Sequence, residues 1–150
     1  MIEETTLAAN ILAINKHVKI DIGACPEALF YGDEDLVRQM LLNLLDNAIK
    51  HTPPDGLIRL HLTREREKYF IAISDTGQGI PADAQPHVFE RFYRADKAHS
   101  RSEVANGGGA GLGLAISRWI AEAHKGNLEL ARSDRNSTTF VAMLPAYPSD

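Results

Sequence analysis

Residues 33–51, DEDLVRQMLLNLLDNAIKH, decide how the rest of this chain is read. Asp33 stands where a helix N-cap belongs, and Glu34 and Asp35 fall in the first turn, where carboxylates complement the helix dipole. Leu36, Val37, Met40, Leu41, Leu44, Leu45, Ala48 and Ile49 then recur as a broad apolar stripe, which predicts a helix with one face in a core. The following TPPDG ends it, because proline cannot continue a helix and glycine suits the turn. Asn43 and Asn47 run against this pattern, since a short carboxamide competes for backbone hydrogen bonds. At about 100° per residue, Asn43, Asn47 and Lys50 share an arc of about 60° on the border of the stripe. A carboxamide oxygen suits a hard cation such as Mg2+, and a lysine adds charge toward phosphates that complete the metal shell. A solvated polar face meets the same spacing, so the helix by itself leaves both readings open.

Working outward, ETTLAANILAIN (4–15) places Leu7, Ile11, Leu12 and Ile14 at near-helical spacing, and the alternating HVKIDIG after it reads as a strand. Cys25 to Tyr31 reads as a loop around Pro26. LIRLHLT and KYFIAISD form a hairpin across REREK. A poorly periodic stretch from Thr76 to about Gly111 has the length of a lid or binding loop. LGLAISRWIAEAHKG restores a helix with Gly126 in the C′ position, and NLELARSD and STTFVAMLP close a second hairpin. This order predicts an α+β fold, a two-layer α/β sandwich. Its mixed, mostly antiparallel sheet is covered on one face by about three helices. Residues 1–150 read as one domain, with the lid at roughly 81–111.

The totals exclude several classes. A net charge of −4 with both signs interspersed carries no electrostatic footprint for nucleic acid or an anionic membrane. The single cysteine, Cys25, rules out an internal disulfide and fits a reducing compartment. No apolar run approaches the roughly 18 residues of a spanning helix, and the start lacks a signal-peptide pattern, so a cytoplasmic location is expected.

In IAISDTGQGI, strand alternation puts Asp75 on the same face as Ile71 and Ile73. A carboxylate facing an apolar layer needs a donor, and the exocyclic amine of a purine would be one. Gly77 and Gly79 let the chain turn sharply and let a flat ring approach the backbone. A plain turn aspartate is the simpler alternative. Asp-Thr-Gly also marks aspartic proteases, but that fold is nearly all β and two long helices flank the motif here. NGGGAGLGLAI (106–116) runs glycines into a helix start, a natural phosphate site or a flexible hinge. It matches neither the dinucleotide fingerprint nor the P-loop.

Asn-x3-Asn-x2-Lys on a helix, Asp-x-Gly-x-Gly after a strand and Gly-x-Gly opening another helix, in this order, resemble a known ATP-binding domain. It is shared by gyrase-type topoisomerases, ATP-dependent heat-shock chaperones, mismatch-repair ATPases and sensor histidine kinases, the GHKL superfamily. LLNLLDNAIKHTP resembles the kinase N box, DTGQGIP the first glycine box, VFERFYRAD the F box and GGAGLGLAI the second glycine box. The F box is similar to that of histidine kinases in particular.

The resemblance implies that Asn47 ligates Mg2+, that Asn43 and Lys50 lie near the phosphates, and that His51 lines the nucleotide. Asp75 would bond the adenine amine, with Gly77, Gly79 and Ile80 shaping the pocket and Thr138 reaching adenine through water. Arg94 would meet the γ-phosphate. Gly109, Gly111 and Gly113, with Leu112 and Leu114, would hinge the lid and line the phosphates. The ATPase branches carry a glutamate four residues before the metal-binding asparagine; here that position is Asn43, which cannot act as a general base. Ala110 replaces a frequent threonine, and Ser137 replaces a glycine before the last strand.

None of the six histidines has the acidic residue and Arg-Thr-Pro of the phosphoacceptor signature. The expectation is therefore the ATP-binding and catalytic module of a two-component sensor histidine kinase, without its phosphoacceptor and sensor domains and unable to phosphorylate itself. ATP and Mg2+ are its expected cofactors. Its expected partners are a phosphoacceptor histidine domain of the same parent and an OmpR-like response regulator, with a homodimeric parent and a monomeric fragment. An anti-sigma-type serine kinase of the same fold is the alternative, against which the F box and the missing glutamate argue.

Overall fold

The computed structural model describes residues 1–93 and 111–147. Helix α1 spans Ile2–Asn15, strand β1 Lys19–Ile22, helix α2 Glu34–His51, strand β2 Leu57–Glu65 and strand β3 Lys68–Asp75. A short 3-10 turn at Gln85–His87 follows, then helix α3 (Gly113–Ala123) and strands β4 (Asn127–Asp134) and β5 (Ser137–Pro145). Among the described residues, the three helices pack on a five-stranded sheet of order β1-β2-β3-β5-β4. Only β1 and β2 run parallel; the other pairs are antiparallel. No helix in the described residues is long and apolar enough to cross a membrane.

Helix α2 forms as its sequence dictates. Asp33 is extended and its Oδ1 accepts from Asp35 N at 2.9 Å and Leu36 N at 3.1 Å, a cap worth about 1 kcal/mol. Val37, Met40, Leu41, Leu44, Leu45, Ala48 and Ile49 are all buried. Burial of each larger side chain contributes about 1.5–3 kcal/mol. Opposite them lie Ile58, Leu60 and Leu62 of β2, Ile71 and Ile73 of β3, and Phe140, Ala142 and Leu144 of β5. The N-cap is also tied to α3, because Asp33 N donates to His124 Nε2 at 2.9 Å while His124 Nδ1 lies 2.7 Å from Ile120 O.

Two expectations are corrected. In α1 the buried residues are Thr5, Thr6, Ala9 and Ala13, whereas Leu7, Ile11, Leu12 and Ile14 are exposed. The threonines can face the core because each hydroxyl donates to the carbonyl four residues earlier, Met1 O and Ile2 O, and so buries no unpaired donor. The small side chains of this face pack against α2, which no hydropathy pattern records. At the end of α3 the left-handed residue is Lys125 (φ 59°), not Gly126. Gly126 is needed for a different reason: a Cβ there would collide with the carbonyl of Met143 on β5.

Gly126→Ala should therefore destabilise the fold by about 1–3 kcal/mol in a denaturant titration, since backbone must move to admit the methyl group. Gly113→Ala, whose new Cβ would find its nearest neighbour at 3.9 Å, should leave the unfolding free energy within about 0.5 kcal/mol of the parent.

Candidate nucleotide site

A cavity of about 420 Å3 opens between the C-terminal half of α2, the end of β3 and the start of α3. From α2 it receives Asn43, Asn47, Lys50 and His51, so the arc expected from helix geometry lines one wall. Asn43 and Asn47 are half-buried, Lys50 and His51 exposed. Asn43 Nδ2 donates to Gly113 O at 3.4 Å, which joins this wall to the first residue of α3. The Asn47 carboxamide makes no hydrogen bond among the described residues. It is thus an uncommitted neutral oxygen donor, which fits a hard cation that takes its other ligands from water and phosphate. Among the described residues, no group of three or more His, Cys, Asp or Glu side chains could hold a metal without such help.

Asp75 contributes from the sheet. It is 4% exposed and lies in register between Ile58 of β2 and Thr138 of β5, the last member of the layer that holds Ile71 and Ile73. Its Oδ1 accepts from Gly77 N at 2.8 Å, its one hydrogen bond among the described residues. Burial pushes the carboxyl above the usual carboxylate range, and the Gly77 bond offsets part of that shift. Gly77 does not line the cavity but has little room for a side chain: a Cβ would run into the His51 carbonyl and lie 2.7 Å from Asp75 Oδ1. The turn after β3 is thereby seated against the end of α2. Gly79 has φ 78°, and a Cβ there would meet the Asp134 carbonyl. Ile80 N donates to Ser133 Oγ at 2.7 Å, and that hydroxyl lies 3.1 Å from Thr138 Oγ1. Gly79, Ile80 and Thr138 line the cavity together with Asp75.

The third wall starts at Gly111, with φ 77°. Phe92 N donates to Gly111 O at 3.0 Å, and a Cβ on Gly111 would stand 2.8–2.9 Å from the Phe92 backbone, so glycine permits this contact. Gly111, Gly113 and Leu114 line the cavity; Leu112, the N-cap residue of α3, does not. Arg94 and Gly109 lie outside the described residues. The F-box residue Phe89 packs edge-to-face on Phe140 at 6.0 Å and beneath the Arg118 guanidinium at 4.8 Å.

The sequence reading missed Lys16, Asp46, Ser133 and Tyr93. Lys16 Nζ donates to Ile49 O at 2.9 Å and Lys50 O at 2.7 Å, satisfying carbonyls at the C-terminus of α2 from a segment more than thirty residues upstream. Asp46 was within reach, since the same helix arithmetic puts it about 40° from Lys50. Tyr93 lies inside the F box, next to Arg94, whereas Ser133 carries no local signal.

The sequence profile of the histidine kinase-, DNA gyrase B- and HSP90-like ATPases matches residues 32–148. This chain belongs to that family. Within it, the chain is similar to sensor histidine kinases. It is 34% identical over 148 residues to the sensor-like histidine kinase SenX3 of Mycolicibacterium smegmatis, covering 99% of this chain and 38% of that protein. Among solved structures, the mycobacterial sensor histidine kinase MprB superposes with a TM-score of 0.76 at 26% identity, covering 99% of this chain and 97% of that one. Full-length ShkA in complex with AMPPNP gives 0.81 at 26% identity, covering 98% of this chain and 29% of that one. This chain thus spans well under half the length of SenX3 and of ShkA.

The raised Asp75 pKa carries a stability consequence. In the unfolded chain an aspartate titrates at about 3.9. Because the folded value lies higher, the cost of burying the charge is absent below the unfolded pKa and grows as pH rises through the folded one. Asp75→Asn keeps an oxygen for Gly77 N but carries no charge. Its melting temperature should exceed that of the parent at pH 7, and the two should converge at about pH 3.

Proposed function

We propose that this chain binds Mg2+-ATP and donates the γ-phosphoryl group to a histidine on a separate phosphoacceptor domain, for relay to a response-regulator aspartate. The observation that carries the reading is the meeting, on one cavity, of a buried carboxylate at a strand end with an Asn-Asn-Lys helix face and a glycine-opened helix. Each group has a complementary part of the nucleotide. Asp75, buried between Ile58 and Thr138, selects a donor such as the adenine amine, because an unpaired polar partner in such a site is costly. Lys50 meets the phosphates as a point charge. Asn47 would hold Mg2+, which supplies charge neutralisation to the phosphate oxygens. Ile80 and Thr138 border the ring, and the start of α3 presents backbone N–H groups to the phosphates.

The transfer breaks the bond between the γ-phosphorus and the bridging oxygen of ADP and forms a bond to the imidazole nitrogen of the acceptor. Arg94 is assigned to the γ-phosphate by its place in the F box, Gly109 to the lid by its place in the second glycine box, and residues 81–111 to the lid as a whole. Catalysis is then mainly positioning and charge stabilisation. The parent protein would be a homodimeric sensor kinase whose cytoplasmic part includes this domain, and an OmpR-like regulator would be its partner.

Calorimetric titration with ATP and with ADP, with and without Mg2+, tests the pocket. The parent should bind with a metal-dependent signal, and Asp75→Asn, though folded and more heat-stable, should lose adenine-nucleotide affinity by at least about tenfold, the scale of one buried charged hydrogen bond. Steady-state hydrolysis should fall far below the common enzymatic turnover of about 10 s⁻¹, whereas labelled phosphate from ATP should appear on an added phosphoacceptor histidine domain. Absence of nucleotide binding by the parent would overturn the reading.

A further inference from the structure

One carboxylate in the cavity is used by neither the phosphate wall nor the adenine end. Asp46 lines the α2 wall, and its Oδ2 lies 2.7 Å from Lys50 Nζ, with both side chains partly exposed. The spacing is i,i+4 with the acid nearer the N-terminus, the favourable order for a helix ion pair. Of the described lining residues only Asp46 and Asp75 are carboxylic acids. They are not equivalent. Asp75 is buried in the sheet against Gly77 N, whereas Asp46 sits half-buried beside the lysine that would receive phosphate. Asn43 and Asn47, its neighbours on the wall, carry no charge.

A half-exposed pair of this kind is weak, so a ligand bearing several negative charges can draw the ammonium away from it. The carboxylate then remains in the wall, facing an anion, and its repulsion grows with the net charge of that ligand. We propose that Asp46 is a specificity-determining residue that sets the charge preference of the pocket: it holds Lys50 when no nucleotide is bound and penalises polyphosphates whose charge no metal has neutralised. The proposal rests on the nucleotide reading of the cavity. Asp46 itself needs no contact with the nucleotide.

The test is titration of adenosine, ADP and ATP, each with and without Mg2+, into the parent, Asp46→Asn and Asp46→Glu, with circular dichroism melts to verify folding. Asp46→Asn should leave adenosine affinity unchanged, tighten metal-free ADP by about threefold and metal-free ATP by about tenfold, and gain less when Mg2+ is present. Asp46→Glu, which keeps the charge, should follow the parent. Unchanged or weakened ATP binding by Asp46→Asn while the parent binds normally overturns the proposal alone and would make Asp46 a residue that positions Lys50. An equal gain for adenosine also overturns it, because it would not depend on phosphate charge. Failure of the parent to bind any adenine compound overturns this proposal and the pocket reading together.

Discussion

The architecture rests on the burial of one face of α2. Seven side chains of this helix are withdrawn from water in the core that it shares with the sheet and with α1 and α3, and that packing sets the helix's rotation about its axis. Once rotation is set, Asn43, Asn47 and Lys50 have no choice of direction: they occupy the border of the buried stripe and line the cavity, the asparagines half-buried and the lysine exposed. The helix therefore tolerates two residues of poor propensity at modest cost, a few tenths of a kcal/mol each relative to good helix formers, because packing supplies far more. Whatever the polar wall binds, its geometry is inherited from a hydrophobic contact.

A second constraint follows from the sheet. Asp75 stands at the end of β3 on the face that holds Ile71 and Ile73, with Ile58 and Thr138 as its neighbours in register. Its carboxyl is desolvated and has a single backbone donor, so the folded chain carries an electrostatic cost at neutral pH. A costly buried acid at the mouth of a cavity is understandable if a ligand supplies the missing donor, and it places stability and binding in opposition at one side chain. Gly77 and Gly79 belong to the same arrangement. Side chains at either position would push the turn away from the α2 terminus or from the end of β4.

Long-range polar contacts then lock the walls together. Lys16 caps the carbonyl end of α2, Asn43 reaches the first turn of α3, and His124 couples the last turn of α3 to the N-cap of α2. None of these is large in energy, since a single intramolecular hydrogen bond contributes about 1 kcal/mol net. Their effect is geometric: the end of α1, helix α2 and helix α3 are held in one relative arrangement.

How far the sequence reached depended on the range of the interaction concerned. The α2 stripe, its aspartate cap, the two hairpins and the side of the sheet on which Asp75 lies were legible, because periodicity, capping and strand alternation are local properties of the chain. The same arithmetic could have found Asp46. The polar and small buried face of α1 was not legible, because threonines satisfied by the preceding turn, and alanines chosen for close approach, lack the hydropathy signal that exposed leucines and isoleucines imitate. Nor was the reason for Gly126, which lies in a strand seventeen residues away rather than in its own dihedral angles. By itself, then, the sequence determined the elements, their order and the membership of the nucleotide motifs. Tertiary structure alone decided that Lys16 joins them, that Ser133 braces Ile80 and Thr138, and that the α2 face meets Asp75 on one cavity, since those outcomes depend on which segments fold against one another.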